Sequence, residues 1–173
     1  LQLGDQVRIP HVRVAEQAER DYIPALEFPL LYEDDALLVI DKPAGVAVHG
    51  GSGVSFGVIE QLRSARPQAK FLELVHRLDR ETSGVLLLAK KRSALTALHE
   101  QMREGKTDKR YLTLVLGKWL NAKQHVKLPL HKFNTQDGEK RVMVREGGQA
   151  SHTIFALQRC WQEFSLLEAQ IKT

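Results

Sequence analysis

The side chains best suited to chemistry lie together near the middle of the chain, in the nonapeptide His76-Arg77-Leu78-Asp79-Arg80-Glu81-Thr82-Ser83-Gly84. Its carboxylate, Asp79, stands between the guanidinium groups of Arg77 and Arg80. Neighbouring cations favour the ionised form of a carboxyl group, and an ionised carboxylate suits a nucleophile or a base better than a general acid. The nonapeptide therefore predicts a catalytic carboxylate at Asp79. The alternative interpretation is that Asp79 only caps its loop by accepting hydrogen bonds from nearby backbone N–H groups.

Two apolar runs must position this loop. Residues 71–75 precede it and residues 85–89 follow it, and both runs are rich in leucine and valine. Short apolar runs with polar residues between them are typical of buried strands. We therefore expect two buried strands with the charged loop between them.

The nonapeptide resembles the signature of the pseudouridine synthase family, whose members modify ribosomal and transfer RNA. Within that family it is most similar to the enzymes of the large ribosomal subunit. Two more stretches resemble the family in the same order along the chain, namely Asp41-Lys42-Pro43-Ala44-Gly45 with Val48-His49, and Lys109-Arg110-Tyr111-Leu112-Thr113-Leu114-Val115-Leu116-Gly117. The resemblance covers roughly residues 28–173. It implies the isomerisation of uridine to pseudouridine in large-subunit ribosomal RNA, without a cofactor or a metal ion.

The resemblance also implies roles for individual residues. Asp79 is then the catalytic carboxylate, Tyr111 the tyrosine that packs on the target base, and Arg77 the arginine that inserts into the RNA stack. From the residues alone, Tyr111 is also explained as a core aromatic of a strand, and Arg77 as the partner that holds Asp79. Further contacts to RNA or substrate are expected from Arg80, Lys42, His76, Lys109 and Arg110. Of these, Lys42, Lys109 and Arg110 are interpreted as contacts either to a phosphate or to a loop.

Two other classes of function stay open at this stage. One is a non-catalytic RNA-binding protein with the same fold and basic surface, and the other is an unrelated carboxylate-dependent hydrolase. The glycine loop after His49 fails as a P-loop, because Gly51 stands where the lysine is required. The histidines show no metal-binding spacing.

Composition sets wider limits. The 173 residues suit one domain, and a net charge of +4 with a pI near 9.3 is compatible with nucleic acid. Cys160 is the only cysteine, which excludes an internal disulfide, and we expect it to be a buried, inert thiol. No apolar stretch approaches the roughly 20 residues of a membrane span. These features predict a cytoplasmic, monomeric protein that contacts no membrane.

The order of elements predicts an α+β fold with a mixed, mostly antiparallel sheet and a few flanking helices. Helices are expected at residues 56–65 and 94–104, and a third early strand at residues 46–49. Residues 1–14 resemble the end of an RNA-binding module of the ribosomal protein S4 type, residues 15–27 a linker, and residues 28–173 the catalytic domain.

The resemblance carries an expectation about the carboxyl end. The family pattern continues beyond a strand like residues 164–171 with Gly-Arg-Thr-His-Gln-Ile-Arg, whose basic residue pairs with the catalytic aspartate, and Thr173 comes one residue before the position of that stretch. We therefore expect an incomplete catalytic domain, and a chain that is inactive and poorly soluble when it ends at Thr173.

Overall fold

The structure, a computed structural model, describes residues 22–51, 54–135 and 140–173. The described residues up to Ala97 form one compact unit, and Leu98–Thr173 form a second. The predicted S4-like remnant and residues 15–21 of the predicted linker lie outside the described residues. Residues 22–27, the rest of that linker, contain no helix or strand.

The first unit is built on a four-stranded antiparallel sheet. Its strands are β1 (Leu30–Glu33), β2 (Leu37–Lys42), β3 (Glu73–Leu74) and β4 (Gly84–Ala89), in the order β1-β2-β4-β3. Side chains alternate between the two faces of a strand, so the apolar residues at every second position share one face. That face supplies the core of the unit, which includes the completely or almost completely buried Leu38, Ile40, Leu86 and Leu88.

Helix α1 (Val58–Ala65) covers this core. Val58, Ile59 and Leu62 recur at helical spacing and are buried. The carboxylate of Glu60 accepts a 2.8 Å hydrogen bond from the N–H of Gly57 and so satisfies a donor at the start of the helix. The helix ends before Pro67, a residue that cannot continue the backbone hydrogen-bond pattern.

An ion-pair network holds the end of α1 against the sheet. Arg66 donates to both carboxylate oxygens of Glu27, at 2.7 and 2.8 Å, and to Glu33 at 2.7 Å. Lys90, which follows β4, donates to the same Glu33 carboxylate at 2.8 Å. The two cations lower the pKa of Glu33 mainly through their hydrogen bonds, Arg66 first. The network therefore ties the segment before β1, β1 itself, α1 and β4 together.

The second unit contains a four-stranded antiparallel sheet and a separate ribbon. Helix α2 (Arg92–Arg103) includes the boundary between the units and is followed by β5 (Lys109–Leu116), β6 (Lys123–Val126), β7 (Leu130–Asn134), β8 (Lys140–Val144), β9 (Thr153–Cys160) and β10 (Phe164–Ile171). The sheet has the order β5-β10-β9-β6, and β7 and β8 form the ribbon. Strand β10 pairs along its whole length with β5, which buries Ser165 and Leu167 at the centre.

The α+β class is confirmed, and every pairing between described strands is antiparallel. The strands form two sheets and a ribbon instead of the one sheet expected. The predicted strand at residues 46–49 is wrong. The carbonyl groups of Ala47 and Val48 accept hydrogen bonds from the N–H groups of Val58 and Ile59, so this segment caps α1 instead of joining a sheet.

Three smaller predictions also need correction. The sequence also predicts a strand at residues 126–128, but the strand lies at Lys123–Val126, and β7 was not predicted at all. Helix α1 begins at Val58, two residues later than expected, and α2 begins at Arg92, two residues earlier than expected. Cys160, the last residue of β9, is exposed and not buried, although its Sγ lies 3.6 Å from Oγ of the buried Ser165. None of the helices in the described residues is long and apolar enough to cross a membrane.

Candidate active site

The nonapeptide forms a loop of the first unit, between β3 and β4. Leu78 is buried and anchors the loop, whereas Arg77, Asp79 and Arg80 on either side of it are exposed. The N–H of Thr82 donates a 3.1 Å hydrogen bond to the backbone carbonyl of Asp79, which closes a turn. One apolar anchor thus fixes the loop and leaves its charged side chains facing solvent.

Lys42 supports the loop from inside the fold. Its side chain is completely buried, and Nζ donates hydrogen bonds to the carbonyl oxygens of Val46 at 2.7 Å, Pro43 at 2.9 Å and Arg80 at 3.0 Å. An ammonium group has three donors, so these bonds use all of them. Of the two contacts predicted for Lys42, the enclosed and fully hydrogen-bonded Nζ favours the loop contact over the phosphate contact.

A second contact reinforces this support. The N–H of Gly45 donates to the carbonyl of Arg80 at 2.9 Å, and Nε of Arg80 donates to the carbonyl of Gly45 at 2.9 Å. The carbonyl of Arg80 therefore accepts from two donors, Gly45 and Lys42. Arg80 is the next residue after Asp79. The hydrogen bonds of Arg80 therefore also restrict the backbone of Asp79, the predicted catalytic residue.

Burial also gives Lys42 an electrostatic link to the loop. Removal from water lowers the pKa of Lys42, while the negative charges of Glu81 and Asp79 act in the opposite direction. The carboxylates of Glu81 and Asp79 thus attract the buried ammonium group of Lys42. Lys42 is therefore a cation that interacts with Asp79, a role that the sequence analysis did not assign to it.

The carboxylate of Asp79 has no hydrogen-bond or ion-pair partner among the described residues. Arg80, expected to hold it, donates to Gly45 and lies 3.7 Å from Glu81. Arg77 is exposed and forms no ion pair with Asp79 either. The capping interpretation also fails, because Asp79 contributes its backbone carbonyl, and not its carboxylate, to the turn.

His76 belongs to the fold rather than to the exposed surface of the loop. Its Nε2 accepts a 3.2 Å hydrogen bond from the N–H of Leu87 in β4. Next to it, the N–H of Val75 donates to the carbonyl of Leu87 at 3.0 Å. A ring nitrogen that accepts a hydrogen bond carries no proton, so this nitrogen positions the start of the loop on β4.

Gly84 ends the loop in a conformation that suits glycine. Its φ angle is +115°, and it pairs with Lys42 at the start of β4. A Cβ atom at such a positive φ is strained, so we expect Gly84→Ala to cost about 1–2 kcal/mol of unfolding free energy. Because the strain falls on the loop of Asp79, turnover should also fall by roughly tenfold.

The matched control is Gly105→Ala, since Gly105 also has a positive φ, +67°, but follows α2. Urea denaturation should give similar losses of stability for the two variants. Equal turnover in both variants would show that the conformation of Gly84 does not matter for chemistry.

A cavity of about 450 Å³ opens beside the loop. Gly45 and Arg80 form part of its wall, and Val46, Val54 and Phe56 form an apolar part. Pockets of this size and character are typical of small-molecule sites, and a pyrimidine base fits within this volume.

The other predicted residues lie on β5 of the second unit. Tyr111 is half-buried and pairs with the buried Ala169 of β10. Arg110 donates to Asp108 at 2.8 Å and to Glu168 at 3.0 Å, so its guanidinium already pairs with two carboxylates. The hydrogen bond to Asp108 is the main cause of its raised pKa. The predicted RNA contact of Arg110 therefore competes with these ion pairs, whereas Lys109 is exposed and forms no ion pair among the described residues.

The part of the chain that the structure describes contains no candidate metal site. No group of three or more His, Cys, Asp or Glu side chains there is arranged to hold a metal ion.

The family model for RNA pseudouridylate synthase matches residues 36–173. The chain belongs to this family. It is 57% identical over 164 residues to "Ribosomal large subunit pseudouridine synthase C" of Escherichia coli strain K12, covering 91% of this chain and 51% of that protein. The protein of the same name from Haemophilus ducreyi is 53% identical over 175 residues, covering 98% of this chain and 55% of the relative.

A solved structure agrees with this assignment. "Human RNA Pseudouridylate Synthase Domain Containing 4" superposes with a TM-score of 0.70 at 25% identity, covering 84% of this chain and 59% of that one. The chain thus spans about half the length of the curated synthases it matches.

The sequence analysis left the role of Lys42 open between a phosphate and a loop contact, although a signal for the structural role was present in this member of the synthase family. Lys42 follows Leu38 and Ile40 at intervals of two residues in β2, so all three side chains share the buried face. A lysine on the apolar face of a strand must find acceptors inside the fold, which predicts a structural cation.

Proposed function

We propose that this chain carries the catalytic core of an RNA pseudouridine synthase that acts on large-subunit ribosomal RNA, with Asp79 as the catalytic carboxylate. Family membership and the names of the relatives support the reaction class and the substrate. The position of Asp79 within the loop supports its role. The proposal includes a cytoplasmic, monomeric protein that needs no cofactor or metal ion.

The reaction exchanges one bond for another without a change of redox state. The C1′–N1 bond of the uridine breaks, the detached uracil turns, and a C1′–C5 bond forms. The hydrogen at C5 leaves as a proton, and N1 gains a proton, so atoms and electrons balance. A carboxylate can assist by attacking C1′, by adding to the base, or by removing a sugar proton, and Asp79 is open to each of these routes.

The proposal rests mainly on one observation: the loop is held by hydrogen bonds, while the carboxylate of Asp79 in it has no partner among the described residues. Lys42 and Gly45 hold the backbone beside Asp79, while the Asp79 side chain is exposed and has no partner among the described residues. A structural aspartate of a loop normally satisfies its oxygen atoms with local N–H groups. A carboxylate that is positioned but unused is instead ready to meet a substrate.

Other residues are proposed for RNA contacts. Arg77 is exposed next to Asp79, and a planar cation there can stack in the space that an extruded base leaves. Lys109 is proposed to contact a phosphate, and Tyr111 to pack on the target base. Arg80 keeps its carbonyl and Nε for the fold, but the rest of its exposed guanidinium can still reach RNA.

Release of tritium from large-subunit ribosomal RNA labelled at uridine C5 tests this function. Base isomerisation expels that hydrogen and leaves the RNA chain intact, whereas binding alone releases nothing and a hydrolase shortens the RNA or frees uracil. The assay is run on the complete natural gene product. The same assay on residues 1–173 alone tests the expectation that this segment is inactive. Binding without tritium release by the complete product would favour the non-catalytic alternative.

Tyr111→Phe should slow the reaction without stopping it. The variant keeps the ring that packs on the base and loses only the hydroxyl. We therefore expect turnover to fall about tenfold, which is a modest effect for the loss of one group that assists proton transfer. Single-turnover kinetics should show slow product formation after glycosidic cleavage. If the variant unfolds more easily while the folded fraction keeps full turnover, Tyr111 is a core residue only.

A further inference from the structure

His125 and His152 form a direct imidazole pair in the second unit. Nδ1 of His125 lies 3.1 Å from Nε2 of His152, and the two rings stack with their centroids 5.2 Å apart. Strand register explains this contact. His125 of β6 pairs with Ile154 of β9, and His152 precedes Ile154 by two residues, so both rings lie on one face of the sheet. At this distance one nitrogen donates and the other accepts.

Two lysines lie near the imidazole pair, since the charges of Lys127 and Lys172 both act on His152. Lys127 follows His125 by two residues, and Lys172 follows Gln170, which pairs with Ile154, by two residues. The backbone N–H of Lys172 also donates to the carbonyl of His152 at 2.9 Å. Burial is the main cause that lowers the pKa of His152, and the charges of Lys127, His125 and Lys172 lower it further.

The carboxylates near the neighbouring strands offset these charges only in part, since Asp108 interacts electrostatically with Lys172. Asp108 immediately precedes β5, and Glu168 lies in β10. Both carboxylates accept hydrogen bonds from Arg110. Asp108 also accepts from the side chain of Gln170 at 2.8 Å. Among the described residues, all the charges that act on His152 are basic. The four basic side chains therefore form a local excess of positive charge.

A cavity of about 350 Å³ adjoins this excess charge. Lys127, Ser151 and His152 line it together with the apolar Leu128 and Pro129. The hydroxyl of Ser151 donates to the carbonyl of Leu128 at 2.8 Å, so the side-chain donors left to a ligand are those of Lys127, His152 and Thr173. A single phosphate group fits this volume and accepts hydrogen bonds from these kinds of side chain.

We propose that His125, Lys127, His152 and Lys172, here called the His–Lys site, bind a phosphate group of the RNA backbone and take up a proton on His152 as they do so. The identity of the ligand rests on the proposed function. The site lies on the face of the sheet opposite to Tyr111, because Tyr111 pairs with Ala169, which alternates with Gln170 along β10. It therefore holds RNA away from the target nucleotide.

The sign of the pH dependence follows from the charges. A bound phosphate favours the imidazolium form, so it raises the pKa of His152 above the lowered value of the free protein. The added affinity is fully present below the pKa of the free protein and is lost as the pH rises through the pKa of the complex. RNA affinity should thus fall between about pH 5.5 and 8.

The test measures binding of a labelled hairpin of large-subunit ribosomal RNA to the complete gene product. Lys127→Ala and Lys172→Ala should each weaken binding by about three- to tenfold and reduce the slope of log K against log salt by about 1. Lys118→Ala is the matched control, since this exposed lysine follows Gly117 at the other end of the sheet. His152→Gln should remove the pH dependence while keeping a hydrogen-bonding side chain.

Titration of the His152 ring by NMR distinguishes the sources of phosphate. An upward shift with the RNA hairpin that Lys127→Ala reduces supports the proposal. A shift with inorganic phosphate but no change of RNA affinity in the lysine variants overturns it, and so does a parent affinity that does not vary with pH. Tritium release separates the two proposals: its absence refutes the proposed function, whereas unchanged binding in the variants refutes only the His–Lys site.

Discussion

Asp79→Asn should abolish pseudouridine formation and leave RNA binding intact. Asparagine keeps the shape of the side chain and removes its charge, and no described residue depends on the carboxylate for a hydrogen bond or an ion pair. The fold therefore has no contact to lose. We expect tritium release to fall by at least about 1,000-fold, which corresponds to roughly 4 kcal/mol in the barrier.

Glu81→Gln is the matched control for this change. Glu81 is an exposed carboxylate of the same loop, lies 3.7 Å from Arg80, and acts electrostatically on Lys42 as Asp79 does. Its removal alters the charge of the loop by the same amount, so it should leave turnover within about threefold of the parent. Residual turnover of Asp79→Asn within about tenfold of the parent, a difference of ~1.4 kcal/mol, would remove Asp79 from the chemistry.

The binding arm of this experiment uses the labelled RNA hairpin under the same salt conditions. Loss of a negative charge reduces repulsion of phosphate, so Asp79→Asn should bind RNA as tightly as the parent or slightly more tightly. A large loss of affinity together with turnover would indicate a binding role for the carboxylate.

Alternation along a strand was the most reliable signal in the sequence. Strand β10 was predicted with the bounds that the structure has, Phe164–Ile171, because small and apolar residues recur at every second position and are buried on one face. Residues 46–49 have an apolar composition too, yet their carbonyl groups cap α1. Local composition cannot reveal that partner, because the first turn of α1 begins nine residues or more further along the chain.

The sequence located the loop of the site but not what holds it. The charged pattern around Asp79 suggested that Arg77 and Arg80 stabilise its charge, since they are its neighbours in the chain. In the fold, backbone geometry turns Arg80 toward Gly45, and the cation that acts on Asp79 comes from Lys42. The Lys42–Arg80 hydrogen bond joins residues 38 positions apart, a separation at which sequence spacing carries no information.

The family resemblance and the structure account for different features of the site. Family motifs selected Asp79 and Tyr111, a choice that composition and periodicity alone left open. The structure adds what motifs do not specify, namely that Asp79 is uncommitted and that Arg110 is shared by two carboxylates. A residue that matches a motif can therefore serve either the fold or the substrate, and only its contacts tell which.

Lys42→Met should reduce turnover by about 100-fold and lower stability more modestly. Methionine keeps most of the volume and apolar stem of lysine but cannot donate to the carbonyl groups of Pro43, Val46 and Arg80. Each hydrogen bond to a charged group contributes roughly 1.5–3 kcal/mol, whereas removing a buried charge recovers a desolvation penalty of several kcal/mol. These effects largely offset each other, so we expect a net loss of about 1–3 kcal/mol in unfolding free energy.

The larger effect of Lys42→Met falls on chemistry, because the carbonyl of Arg80 loses one of its two donors and the loop can shift. A displacement of about 1 Å at a reacting group is enough for a 100-fold loss of rate. Urea denaturation, single-turnover tritium release and hairpin binding should be measured together, with Lys70→Met, an exposed lysine of the same unit, as the control. Full turnover with reduced stability would make Lys42 a purely structural cation. A loss confined to RNA affinity would restore the phosphate contact that the sequence predicted. The expected result is neither of these: a fall in the rate of the chemical step, with RNA affinity kept and Lys70→Met unchanged, which is how a positioning residue behaves.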